Sequence, residues 1–104
     1  MIPTYVDYSG QFISIKAAKI SQFKSLHKLG FRFYLFNNFK LNIQSEDQKI
    51  FIFQKLNDMH ICFSSGKEWN PSEVFEYYRN KGLLNGKYRQ LSWTDKNKYV
   101  ITEK

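Results

Sequence analysis

A chain of 104 residues with 42% apolar and 18% aromatic content has the length of a single domain and enough large rings to fill a core. Charged residues at 24% exclude a disordered tail protein, and the formal charge of +7 points to an anionic partner. The lone cysteine, Cys62, excludes an internal disulfide; "MIPTYVDYSG" lacks the basic and apolar regions of a secretion signal, and no apolar run approaches the roughly 20 residues that span a bilayer, so a cytoplasmic chain with no membrane contact is expected.

Residues 4–16, "TYVDYSGQFISIK", place a Ser9-Gly10 turn between two β-type runs and predict a hairpin. Ile20, Phe23, Leu26 and Leu29 then fall at helical spacing, Lys19, Lys24 and Lys28 take the other side, and Gly30 can end the turn, which predicts a helix at about 17–29. "FRFYLF" and "FKLNIQ" flank Asn37-Asn38, residues that tolerate a tight turn, and predict a second hairpin. Its second arm alternates Phe39, Leu41 and Ile43 with Lys40, Asn42 and Gln44.

Residues 45–64 admit two readings. Ser45 as an N-cap, with Gln48 closing a box, starts a helix with Ile50, Phe53 and Leu56 in a stripe. Alternatively "KIFIFQ" and "MHICFS" are strands around a turn at Lys55–Asp58. The strand reading is preferred because aromatic and β-branched residues dominate both runs, and it would give an antiparallel meander with the two preceding runs.

The last third, 69–104, reads as a capped helix at 71–81 followed by a hairpin. Asn70 is the N-cap, Pro71 suits the first helical position, Glu73 sits where a capping-box acid would, and Gly82 supplies a left-handed stop. "KYRQLSW" and "KYVIT", joined by a turn at Thr94–Asn97, close the chain. The expected fold is a single α+β domain over 1–104, an antiparallel hairpin-connected sheet with two packed helices at about 17–29 and 71–81.

Residues for catalysis are sparse. His27 lies near a helix C-terminus, which favours it without chemistry. His60 and Cys62 would share a strand face and offer two metal ligands, but no third is near in sequence, so a structural pair is expected. Ser65-Gly66-Lys67 lacks the second glycine and the following hydroxyl of a phosphate loop, with Ile61 and Glu68 at those positions. Glu73 and Glu76 share a helical face near Glu68, where capping and the helix dipole explain acids. No catalytic residue, metal or cofactor is assigned; a ribonuclease of scattered Lys, Tyr, His and Glu would be the enzyme hardest to exclude.

From Arg79 onward seven cations face two acids, a net +5, leaving +2 for residues 1–78. This segment interleaves cations with rings. It predicts phosphate contact by Arg79, Lys81, Lys87, Arg89, Lys96 and Lys98 and base stacking on Tyr88 or Trp93; the competing reading buries Leu91, Trp93 and Tyr99 and leaves the lysines as a solvated rim. Lysines outnumber arginines 13 to 3, which favours backbone contact over base reading. The expected function is a small non-enzymatic accessory or regulatory protein that binds DNA or RNA. The alternative is a protein-binding inhibitor (an immunity protein, antitoxin or phage anti-host factor) using the same surface on an acidic protein partner. The abundance of Lys, Asn, Ile, Phe and Tyr suits an A/T-rich source such as a low-GC bacterium, a phage or a mobile element.

Overall fold

In the computed structural model, which describes residues 2–66 and 69–104, seven strands form one mixed sheet with three helices. In chain order the elements are β1 (Tyr5–Ser9), β2 (Phe12–Lys16), α1 (Ile20–Lys28), β3 (Arg32–Tyr34), β4 (Asn38–Asn42), α2 (Glu46–Asp58), β5 (Cys62–Ser64), α3 (Pro71–Asn80), β6 (Arg89–Asp95) and β7 (Lys98–Glu103). The sheet order is β3-β4-β2-β1-β5-β6-β7. Three of the expected hairpins are present as β1–β2, β3–β4 and β6–β7, and the one expected around Lys55–Asp58 is not. The sheet is not wholly antiparallel, however, because β5 runs parallel to both β1 and β6.

That departure traces to residues 45–58, which are helix and not strand. The Ser45 hydroxyl accepts the Gln48 N–H at 3.1 Å, and Glu46 and Asp47 occupy the positive first turn. Ile52, Phe53 and Leu56 are buried at helical spacing, while Phe51, at 54% exposure, is left in water. A run such as "KIFIFQ" satisfies either period, so the cap decides. The helix carries the chain from β4 past β2 to the far side of β1, a crossover that only a parallel partner can receive. A second crossover, β5–α3–β6, completes the sheet.

Helix ends follow local chemistry. Asn70 caps α3 by accepting the Ser72 N–H at 3.0 Å, with Pro71 at the first position. The first helix starts at Ile20 and not at 17, since Ala17 sits at φ +57 and Lys19 is extended. Gly30 and Gly82 stop α1 and α3 as expected, each followed by an N–H returning to the last turn (Phe31 to Leu26, Leu83 to Tyr78). At the end of α2 the same role falls to His60, at φ +62, with the Ile61 N–H on the Leu56 carbonyl. His60→Gly is therefore expected to stabilise the protein by about 0.5–1 kcal/mol, by relieving a side chain held in the left-handed region. Thermal unfolding of the two proteins side by side would check it, and a lower midpoint would contradict it.

The core lies on one side of the sheet. Val6, Ile13, Ile15, Phe39, Leu41 and Phe63 from the strands, with Tyr88 just ahead of β6, meet Leu26, Ile52, Phe53, Leu56, Phe75 and Tyr78 from the helices in one cluster. Because side chains alternate along a strand, their neighbours Tyr5, Phe12, Lys16, Arg32, Tyr34, Lys40, Arg89, Trp93 and Tyr99 occupy the opposite face, which carries no helix.

The β3–β4 turn is earlier than expected. Residues 35–37 form the loop, Phe36 and Asn37 lie at φ +62 and +60, and Asn38 already pairs with Tyr34. The two asparagines serve as tethers: the Ala18 N–H donates to the Asn37 carbonyl at 2.9 Å and the Ala17 N–H to Asn38 Oδ1 at 3.4 Å. A phenylalanine in this conformation costs roughly 1–2 kcal/mol relative to a residue in the right-handed region.

Candidate nucleic-acid interface

The eight C-terminal residues expected to form one surface are distributed over several. Arg79 packs its guanidinium 5.0 Å from the Tyr88 ring and donates to the carbonyls of Gly86 and Lys104, both at 2.6 Å, so it clamps the last strand to α3. Lys81 lies 4.9 Å over Tyr77 on the helix side. Lys87 is 3.9 Å from Glu103. Tyr88 is a correction to the expected stacking residue: it is buried, stacked on Phe75 at 4.1 Å, with its hydroxyl near Ser72. It stands just ahead of β6, and its ring turns to the helix side into the core. Lys96 and Lys98 stand at the β6–β7 turn, and the Lys96 N–H is taken by Asp95 at 2.7 Å. Of the eight, the helix-free face receives Arg89 and Trp93.

Trp93 is half-buried. Its indole N–H donates to Ser64 Oγ at 3.1 Å, and its ring meets Tyr5 and Tyr99 edge-on, each at 5.8 Å. Beside it Cys62 and Leu91 are 2% and 0% exposed, so this end of the helix-free face holds a second small apolar cluster. Burial pushes the Cys62 thiol up, against a weaker opposing pull from Arg89, and such a thiol is unreactive. His60 and Cys62 do not share a strand, since His60 is the exposed residue that ends α2. Among the described residues no three His, Cys, Asp or Glu side chains are grouped to hold a metal ion. Lys67 and Glu68, with the phosphate-loop comparison and the third acid near α3, lie outside the described residues.

Titratable groups gather in a hollow of about 370 Å³ lined by Glu46, Lys49, Glu73, Val74, Tyr77 and Tyr78, and in another of about 400 Å³ that includes Asp58, His60, Lys87, Arg89 and Glu103. The Tyr78 hydroxyl donates to Glu46, Lys49 is 3.4 Å from the same carboxylate, and its ammonium sits 5.2 Å from the Tyr8 ring and 5.6 Å from that of Tyr78. The Tyr78 hydrogen bond holds the Glu46 carboxyl below its ordinary pKa, and burial, then the bond to Glu46, raises Tyr78. Burial pulls Lys49 down, but Tyr78, Tyr8 and Glu46 outweigh it and leave its pKa raised. All three shifts lead away from neutrality, which suits a structural ion pair and not proton transfer.

A second concentration of positive charge lies elsewhere. Residues 1–42 carry six cations against one acid, a net +5 equal to that of the C-terminal segment, and residues 43–78 carry −3. The +2 balance of residues 1–78 hides this division. From Tyr8 to Ser45 the chain contains no acid, and this stretch builds β2, α1, β3 and β4, one end of the molecule. On its helix-free face Lys40 stands directly opposite Arg32 in the β3–β4 register, a like-charge pair that costs stability in a sheet. The Lys40 ammonium lies 5.6 Å from the Phe12 ring and 5.4 Å from the Tyr34 ring. Two shallow hollows adjoin here, one of about 390 Å³ against Phe12, Arg32, Lys40 and Asn42, the other of about 260 Å³ against Ser14, Lys16, Leu35 and Phe36; Tyr34 and Lys40 wall both. Cations and flat rings alternate across these three strands without a carboxylate among them; the neighbouring acid on this face is Asp7 of β1, opposite Ser14.

Sequence reasoning missed this surface because its cations are spaced singly over the acid-free stretch and only the sheet brings Lys16, Arg32 and Lys40 to one face. The unbroken absence of acids was the available signal. Comparison with known protein families, curated proteins and solved structures finds no match to this chain.

Proposed function

We propose that this protein binds nucleic acid, non-enzymatically, through the helix-free face of β3, β4 and β2, with Lys16, Arg32 and Lys40 on phosphates and Phe12 and Tyr34 against bases. The observation that carries the reading is the Arg32–Lys40 pair, two like charges facing each other with rings beside them and no acid in the surrounding stretch. Folding gains nothing from such a pair, whereas a phosphate chain neutralises it. Flat rings at the same site stack on unpaired bases. Among the proposed cations Lys predominates, a point charge suited to the backbone and not to bidentate base reading. Arg89, on the same face of β6, stands opposite Glu103 and lies outside this acid-free surface.

Titrating labelled single-stranded DNA and RNA at a series of salt concentrations tests it. Three or four phosphate contacts predict a log–log salt slope of roughly −2 to −3. Absence of micromolar binding to either polymer at low salt would overturn the reading. Recovery of a stoichiometric complex with an acidic protein after nuclease treatment would favour the inhibitor reading in its place.

A further inference from the structure

Resting on the nucleic-acid reading above, we infer that the loop formed by residues 35–37 is a wedge that engages the junction between single- and double-stranded nucleic acid. Leu35 and Phe36 abut the last base pair while the single strand continues over Tyr34 and Phe12. Leu35 is 73% and Phe36 88% exposed, the two largest apolar side chains of the loop presented together to solvent. Phe36 holds φ +62, a conformation that Gly or Asn adopts at little cost, so a bulky ring stands where a tight turn alone would not select one. The loop is braced from behind by the Asn37 and Asn38 hydrogen bonds to the Ala17–Ala18 backbone. A braced apolar tip is what insertion against a base stack requires, and Phe and Leu are among the residues that unstack base steps in this way.

Charge chooses the partner. Leu35 and Phe36 wall the same hollow as Lys16 and Lys40, so the apolar tip adjoins the cations of the helix-free face. On the loop's other side Phe36 shares a hollow of about 650 Å³ with Ile2, Lys19 and Ile20. The whole region is without a carboxylate from Tyr8 to Ser45. A polyanion that also offers an exposed apolar plane satisfies both halves of this surface, and the end of a duplex next to a single-stranded tail is such a ligand. An uninterrupted duplex hides its base planes, and a single strand has no paired end for the tip to abut.

The test compares a single strand, a blunt duplex and the same duplex with a single-stranded tail, using the full chain and the variants Phe36→Gly and Leu35→Ser. The wild-type protein should bind the tailed duplex about tenfold more tightly than either other probe, since the single strand lacks the paired end for the tip and the blunt duplex lacks the unpaired bases for Tyr34 and Phe12. Both variants should lose that preference while keeping their affinity for the single strand. Phe36→Gly relaxes the left-handed residue, so its thermal midpoint should be no lower than wild type. A 2-aminopurine at the terminal pair should brighten with wild-type protein and not with Phe36→Gly. An unchanged preference in Phe36→Gly, or no 2-aminopurine response to wild type, overturns the wedge even if single strands bind. Tip-dependent binding to anionic lipid vesicles without any junction preference also overturns it. Failure of wild type to bind any of the three probes removes the proposed function itself, which separates the two outcomes.

Discussion

Truncating Phe63 to alanine is expected to destabilise the protein by about 3–5 kcal/mol, a large part of the roughly 5–15 kcal/mol that holds a domain folded. The side chain is fully buried on β5, the central parallel strand, and its ring lies 4.8 Å from Phe75, 5.7 Å from Phe53, 6.4 Å from Tyr88 and 6.5 Å from Trp69. These partners come from α2, α3 and the segments just before α3 and β6, so one ring joins elements from both crossovers. Removing it leaves a cavity that none of them closes alone, because each is held by its own backbone hydrogen bonds. Denaturant unfolding would measure the loss. Phe51→Ala supplies the control, since that ring faces water from α2 and should change stability by under about 1 kcal/mol. Similar losses from the two substitutions would mean that the core is not centred where the cluster indicates.

Reversing Lys16, Arg32 and Lys40 together to glutamate is expected to weaken single-strand binding by at least roughly 100-fold near 0.1 M salt and to flatten the salt slope by about 2. The comparison that gives the result meaning is the reversal of Arg79, Lys81 and Lys96. It removes the same formal charge from the molecule but acts at the clamp on the last strand, the helix side and the β6–β7 turn. If net charge alone drew the polymer in, the two triple variants would fall equally. If the helix-free face is the contact surface, the second should stay within about threefold of wild type at a salt concentration where long-range attraction is screened. Equal losses would remove the site assignment. Circular dichroism and thermal unfolding of both variants would show whether either lost its fold first.

The elements legible in the sequence were those with their own punctuation. Asn70-Pro71 and Gly82 bounded α3, Gly30 ended α1, and the Ser9-Gly10 and Thr94–Asn97 turns set two hairpins. Residues 45–58 were ambiguous because Ile50, Phe51, Ile52 and Phe53 are apolar without interruption, which hides the period, and the Ser45–Gln48 cap was the sounder guide. Parallel pairing of β5 could not be read locally: it depends on where a crossover lands, which no nearby residue encodes. The interface was obscured for a related reason. Summing charge along the chain made the C-terminus look singular, whereas strand alternation and sheet order determine which cations share a face. Tyr88 illustrates the difference, since beside Lys87 and Arg89 it resembles a stacking residue, yet just ahead of β6 its ring turns into the core.

The arrangement of charge also bears on how a polymer first meets the molecule. The helices balance within themselves, Glu46, Asp47, Asp58, Glu73 and Glu76 against Lys24, Lys28, Lys49, Lys55 and Arg79, while Lys16, Arg32 and Lys40 stand together on the front of β2, β3 and β4. A charged polymer is drawn toward that part of the front face before it touches, so encounters arrive already oriented. Added salt would thus slow capture as well as loosen the complex.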